Sequence, residues 1–254
     1  PRSGVVSGWR VEQPTLRRFR WLVNLNVPLP PERVRTLLLE DPHRLVVDLE
    51  TSWETEETLP LTAGVSWSRR EVVGGSRGYL LWNELSFDPQ DPQLRVDLGL
   101  AHDRLDSRET VTSMVRRTGA LAGLNAGYFA GSGGPLGLVV RDSKILSPHV
   151  GRRPPRTVVG LTRDRQVRFD RVAVRGGQLA SHSGDDWSNV VVACGGGPRL
   201  LTAGRVTLTT HEEELGPKGN DITRVAGRTA VATRPDGRML MVTGSGYRDN
   251  HSQG

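Results

Sequence analysis

The chain has 254 residues, enough for one large or two small domains with a sizeable core. It is 36% hydrophobic and 24% charged, an ordinary globular balance, and no apolar run reaches the roughly 20 residues of a membrane helix. The net charge is +6, and all but two of the 34 basic residues are arginine, lysine occurring only at Lys144 and Lys218. Guanidinium groups suit phosphate and carboxylate oxygens. These arginines nevertheless fall in short clusters (Arg17, Arg18, Arg20; Arg152, Arg153, Arg156), without the continuous basic face of a nucleic-acid binder. Cys194 is alone, which excludes an internal disulfide framework.

With 30 glycines and 16 prolines, the chain is expected to be β-rich and full of turns. It begins at Pro1 without a methionine and shows no signal peptide. Residues 9–50 read as a small β unit, with strands at 18–27 and 44–49 separated by the loop that Pro28, Pro30 and Pro31 open. The segment DPHRLVVDLE is similar to the closing strand of the AMIN domain, a small β-sandwich module. The acidic stretch 51–58 reads as a linker. Further on, 79–87 and 94–100 are expected strands with a turn at 89–92 between them. Residues 106–119 carry the clearest helix signal: Asp106 as cap, Glu109 three residues later, Val111, Met114 and Val115 at helical spacing, and Gly119 as stop. Residues 138–146 predict a hairpin turning at Asp142 and Ser143. Strands follow at 157–161, 166–169 and 189–194, and a last hairpin pairs 229–233 with 239–243 around Pro235, Asp236 and Gly237.

The centre of the chain is residues 119–140, GALAGLNAGYFAGSGGPLGLVV. So much glycine is foreign to a strand interior and marks tight turns or close approaches of backbone. Asn125 offers a donor and an acceptor at the end of an expected buried strand, and Gly127, Tyr128 and Phe129 follow it. Two readings compete: the floor of a pocket, or a tight hairpin whose aromatics plug the core. Gly195, Gly196 and Gly197, followed by Pro198 and Arg199, can present successive amides to an anion, or make a plain turn. Arg224 and Arg228 flank a strand entrance as phosphate ligands or as solvated side chains. The six histidines are dispersed without metal-ligand spacing, so no metal is indicated, and the cofactor is left open. Glu109 is either a catalytic carboxylate or merely half of a capping box, and Cys194 reads as a small core hydrophobe.

Four stretches in order resemble the phosphodiester glycosidase family: GALAGLNAGYF, GPLGLVVRDSKIL, ACGGGPRLL and RVAGRTAVATRPDGRMLMVTGSG. The family's first stretch reads N-G-G-F/Y-F, matched by Asn125 to Phe129 with one small substitution. The resemblance covers roughly residues 60–254. With the small N-terminal β module, similar to the AMIN domain, and linker read over 1–58, it implies an α+β, β-rich fold whose mixed-sheet phosphodiester-glycosidase-like domain occupies 59–254. It further implies a hydrolase acting on a sugar–phosphate diester or related glycosidic bond, at the cell envelope or outside the cell. Asn125, Arg228, Glu109 and Asp221 are the catalytic candidates. Gly127, Tyr128, Gly195, Gly196, Gly197, Arg199 and Thr229 are the substrate-binding ones. The expected partners are a glycan or sugar-phosphate substrate and peptidoglycan, with no nucleic acid. Family members continue past a serine-x-glycine element, matched by Ser252, Gln253 and Gly254, to an aspartate in L-D-G-G-G-S. That aspartate lies beyond Gly254, so reduced activity of this chain is an expectation. The competing reading is a non-catalytic envelope module binding anionic glycan.

Overall fold

The computed structural model describes residues 6–26, 29–74, 79–148, 154–215, 222 and 226–247. Asp221, Arg224, Lys218, Arg152, Arg153, Pro28 and the serine-x-glycine element fall outside them. The chain opens with two hairpins, β1 (Val6–Thr15) with β2 (Arg18–Leu25) and β3 (Val34–Glu40) with β4 (His43–Leu49). Then come β5 (Trp53–Thr62), β6 (Val65–Val73) and β7 (Tyr79–Phe87), and a helix, α1 (Val111–Thr118). The second half supplies β8 (Val139–Arg141), β9 (Lys144–Ser147), β10 (Thr157–Thr162), β11 (Val167–Arg175), β12 (Gln178–Ser181) and β13 (Val190–Gly195). A short hairpin, β14 (Leu201–Thr202) with β15 (Arg205–Val206), precedes β16 (Arg228–Thr233) and β17 (Met239–Tyr247). No helix among the described residues is long and apolar enough to cross a membrane.

Two sheets carry the molecule. One runs β16-β17-β7-β6-β5 and the other β12-β11-β10-β13-β8-β9, each strand antiparallel to its neighbour. Local chemistry sets the corners. Asp142 and Ser143 both take positive φ, 51° and 60°, as a two-residue turn matching strand twist requires, and so fix the β8–β9 hairpin. Around Asp236 and Gly237, Arg234 and Arg238 close the β16–β17 turn by a backbone bond of 2.9 Å.

The core of the six-stranded sheet is Leu138, Val140, Val158, Val172, Trp187, Val190 and Ala193. Gly160 is bare because the Trp187 ring lies on it; a β-carbon there would stand 2.6 Å from the ring. Between the sheets, Val65, Phe87 and Met239 of the first meet Val159 and Val167 of the second, with Leu94 and Val96 wedged among them.

Several expectations need correction. Residues 94–100 make no ladder; their apolar side chains fill the gap between the sheets from an extended loop. The stretch 51–58 is no loose linker: β5 pairs with β6 from Trp53–Val73 onward, so residue 58 falls inside a strand. Helix α1 starts later than 106, because Thr110 is the cap and accepts a bond from the Ser113 amide at 3.2 Å. Its end is as read: Gly119 takes the left-handed conformation, φ 67°. The run before Asn125 is not a buried strand either, since Leu121 is exposed and no ladder forms.

Leu138 is 1% exposed and lies at the centre of the larger core cluster. Leu138→Ala is expected to cost about 2–5 kcal/mol of stability, read as a shift in urea midpoint at unchanged slope.

Candidate functional site

Three chain segments cross at Gly195. Its amide donates to the Leu138 carbonyl at 2.8 Å. A β-carbon on Gly127 would lie 2.0 Å from the Gly195 carbonyl oxygen, and one on Gly137 would lie 3.1 Å from the same atom. Only glycine lets these backbones approach so closely. The Gly127 amide turns to the Cys194 sulfur at 3.2 Å, and burial pushes that thiol's pKa up. Cys194 packs as a small hydrophobe, as read, while also accepting this bond.

Tyr128 and Phe129 part company here. The Tyr128 hydroxyl donates to the Gly197 carbonyl at 3.3 Å, and the Arg156 guanidinium, on a residue 5% exposed, sits 4.7 Å above its ring. Phe129 is 61% exposed, so the aromatics do not plug the core together. The turn itself is tight, with Leu136 donating to the Tyr128 carbonyl at 2.8 Å. Of the two readings of 119–140, the structure shows the tight turn without the paired aromatic plug, its backbone packed against Gly195 and Gly197.

Beside this turn, the Thr229 hydroxyl of β16 reaches the Asn125 carbonyl at 3.5 Å. The side chains of Asn125 and Arg228 are both exposed. Arg228 donates to the carbonyls of Gly227 and Ile222 at 3.3 and 3.2 Å, and leaves β16 from the face opposite Thr229. The structure thus gathers Asn125, Gly127, Tyr128, Gly195, Gly197 and Thr229, with Arg228 one residue from the cluster.

Other candidates have different tasks. The Gly195 and Gly196 amides are already engaged by the carbonyls of Leu138 and Thr157, the latter at 2.9 Å, which corrects the expectation of free anion-binding amides. The Arg199 guanidinium donates to the Phe169 carbonyl at 3.1 Å, anchoring its loop to β11. The Glu109 carboxylate accepts from Arg117 at 2.9 Å, from the His102 amide at 2.8 Å and from Ser113 at 2.8 Å. It clamps the start of α1 rather than facing Asn125. Asp221 lies outside the described residues.

Sequence reasoning missed Glu213. One of three successive glutamates after His211, it is fully buried, at 0% exposure. Its oxygens accept from the Thr157 amide (2.9 Å) and hydroxyl (2.6 Å), the Thr209 hydroxyl (2.5 Å) and the Arg199 amide (3.2 Å). The absent β-carbon of Gly197, φ +75°, would fall 2.0 Å from its Oε2. Glu213 therefore fixes the Gly195–Arg199 turn from below. The signal available in sequence was a three-glycine loop, which needs an external acceptor to hold one shape.

With this geometry in view, the family comparison takes its place. The model of the phosphodiester glycosidase family matches residues 118–254, more than half of the chain, and the chain belongs to that family. Membership carries a glycosidase-type hydrolase and a sugar-type substrate. No curated protein matches the chain. The matched part starts at the end of α1, well after residue 60, yet its β16 and β17 complete a sheet with β5–β7.

Two predictions follow from the carboxylates. The Arg117 guanidinium, with the His102 amide and Ser113, holds Glu109 down to a pKa of about 2, from an ordinary 4.5. A depressed folded-state pKa stabilises fully above the unfolded value and loses that stabilisation as pH falls toward the folded one. Glu109→Gln should therefore melt below the wild type at neutral pH, and the gap should close in melting curves taken between pH 4.5 and 2. Glu213→Gln turns an amide donor onto donors in a closed site. It should lose about 2–4 kcal/mol by chemical denaturation.

Proposed function

We propose that this chain hydrolyses the bond between a sugar's anomeric carbon and a phosphate oxygen, in a glycopolymer of the cell envelope, outside the cytoplasm. The observation that carries the reading is the meeting of three stretches distant in sequence. Gly127 and Tyr128 touch Cys194 and Gly197, 67 and 69 positions away, and Asn125 touches Thr229, 104 positions away. Each contact joins two of the motifs by which the sequence resembles its family. The Asn125 side chain is exposed at that junction, and Arg228, also exposed, neighbours Thr229 on the other face of edge strand β16.

Water adds to the anomeric carbon and gives up a proton to solvent, the carbon–oxygen bond breaks, and its electron pair leaves with the phosphate monoester. A phosphate monoester is a good leaving group, so the reaction needs little general-acid help. It needs charge neutralisation and orientation. Arg228 offers a planar fork to the phosphate oxygens, and Asn125 offers both a donor and an acceptor to a sugar hydroxyl or the attacking water.

The test is release of free sugar from an N-acetylglucosamine-1-phosphodiester. Arg228→Ala should lower kcat/KM by about 10²- to 10³-fold, with Tm checked to exclude unfolding. Equal turnover by variant and wild type removes the role given to Arg228. If the wild type releases no sugar yet binds purified cell wall and loses it at moderate salt, the protein is a non-catalytic module instead.

A further inference from the structure

The five-stranded sheet has a second face. Odd-numbered residues of β6 and β7, such as Val65, Leu85 and Phe87, point into the core, so the even-numbered ones point away from it. That outer face curves around a trough of about 580 Å³. One rank of paired positions crosses this face, Glu56, Arg70, Trp82, Gly244 and Arg228, of which Glu56, Arg70 and Trp82 line the trough. Trp82 is 40% exposed and, among the described residues, is the one aromatic ring lining the trough. Beside it Gly244 contributes bare backbone; a β-carbon there would stand 3.4 Å from Trp82 Cε3, so the ring lies against β17.

The charges that line the trough balance, Arg70, Arg234 and Arg238 against Glu54, Glu56 and Glu84. Arg70 pairs with Glu54 and Arg234 with Glu84, each at 2.6 Å, and Arg238 is held by Ser86 and the Gly64 carbonyl. Ser66 and Ser68 add short hydroxyls to the lining.

We infer that this trough binds an uncharged pyranose glycan, with one sugar ring stacked on Trp82. An indole face carries negative quadrupole density and attracts the row of C–H bonds on one side of a pyranose. Guanidinium groups already paired with carboxylates keep spare N–H donors, and the carboxylates keep spare lone pairs, both of which sugar hydroxyls satisfy. An anionic polymer finds no net positive field here and would have to displace the resident carboxylates. Arg228 lies two strands from Trp82, about 10 Å away, in the same rank. Resting on the proposed hydrolysis, the trough then holds the sugar portion of a substrate whose phosphate meets Arg228. The glycan binding itself stands without that reading.

Isothermal titration with chitohexaose, cellohexaose and maltohexaose tests it, on the wild type, Trp82→Ala, Trp82→Phe and Arg228→Ala. At least one neutral hexaose should bind the wild type with an affinity unchanged between roughly 50 and 500 mM salt. Trp82→Ala should weaken it about tenfold or more, with Trp82→Phe between the two. Arg228→Ala should bind the neutral hexaose like the wild type whether or not it hydrolyses, which separates this inference from the proposed activity. Absence of binding to all three glycans overturns it, as does equal affinity in a folded Trp82→Ala protein.

Discussion

The structure depends on a crossing that has no room for a β-carbon. Gly127 and Gly137 press against the carbonyl of Gly195, and Gly195 in turn pairs with Leu138. Because β13 ends at Gly195, this contact joins the six-stranded sheet to the turn that carries Asn125 and Tyr128. Leu138, one residue past the crossing, enters the main core. That turn and the core are therefore braced by the same few atoms. Glu213 supplies the other half of the brace by gathering donors from Thr157, Thr209 and Arg199. A buried carboxylate bonded this fully specifies one loop shape, since any rearrangement strands a donor or the charge.

Polar groups that looked available in the sequence are largely committed to this framework. The Tyr128 hydroxyl, the Gly195 and Gly196 amides and the Arg199 guanidinium all hold backbone. Among the described residues of this region, Asn125, Phe129 and Arg228 are exposed, and Arg228 too is bonded to backbone, at the Gly227 and Ile222 carbonyls.

Where local chemistry decided the outcome, the sequence was readable. The Asp142–Ser143 turn, the Gly119 stop and strand β7 all follow from short-range rules. Where tertiary packing decided, it was not. Leu94 and Val96 alternate like a strand but serve as filler between sheets, and the charged stretch from Trp53 is a sheet edge because β6 pairs with it. Thr110 rather than Asp106 is the cap, its hydroxyl accepting the Ser113 amide while Asp106 takes both bonds of Arg104. For the site, the three motifs were visible as motifs, and only their meeting was not. Glu213 was hidden because its partners come from three separate segments.

One feature of the five-stranded sheet reaches beyond the site. Strand β17 is paired with β7 along its whole length, from Met239–Phe87 to Tyr247–Tyr79. Expressing the family-matched segment by itself would strip β17 of that neighbour and lay bare a row of unsatisfied amides and carbonyls beside apolar Met239 and Met241. Such an orphaned border is a template for sticking to copies of itself. The family-matched half therefore owes the cover of its sheet edge to a strand that precedes it.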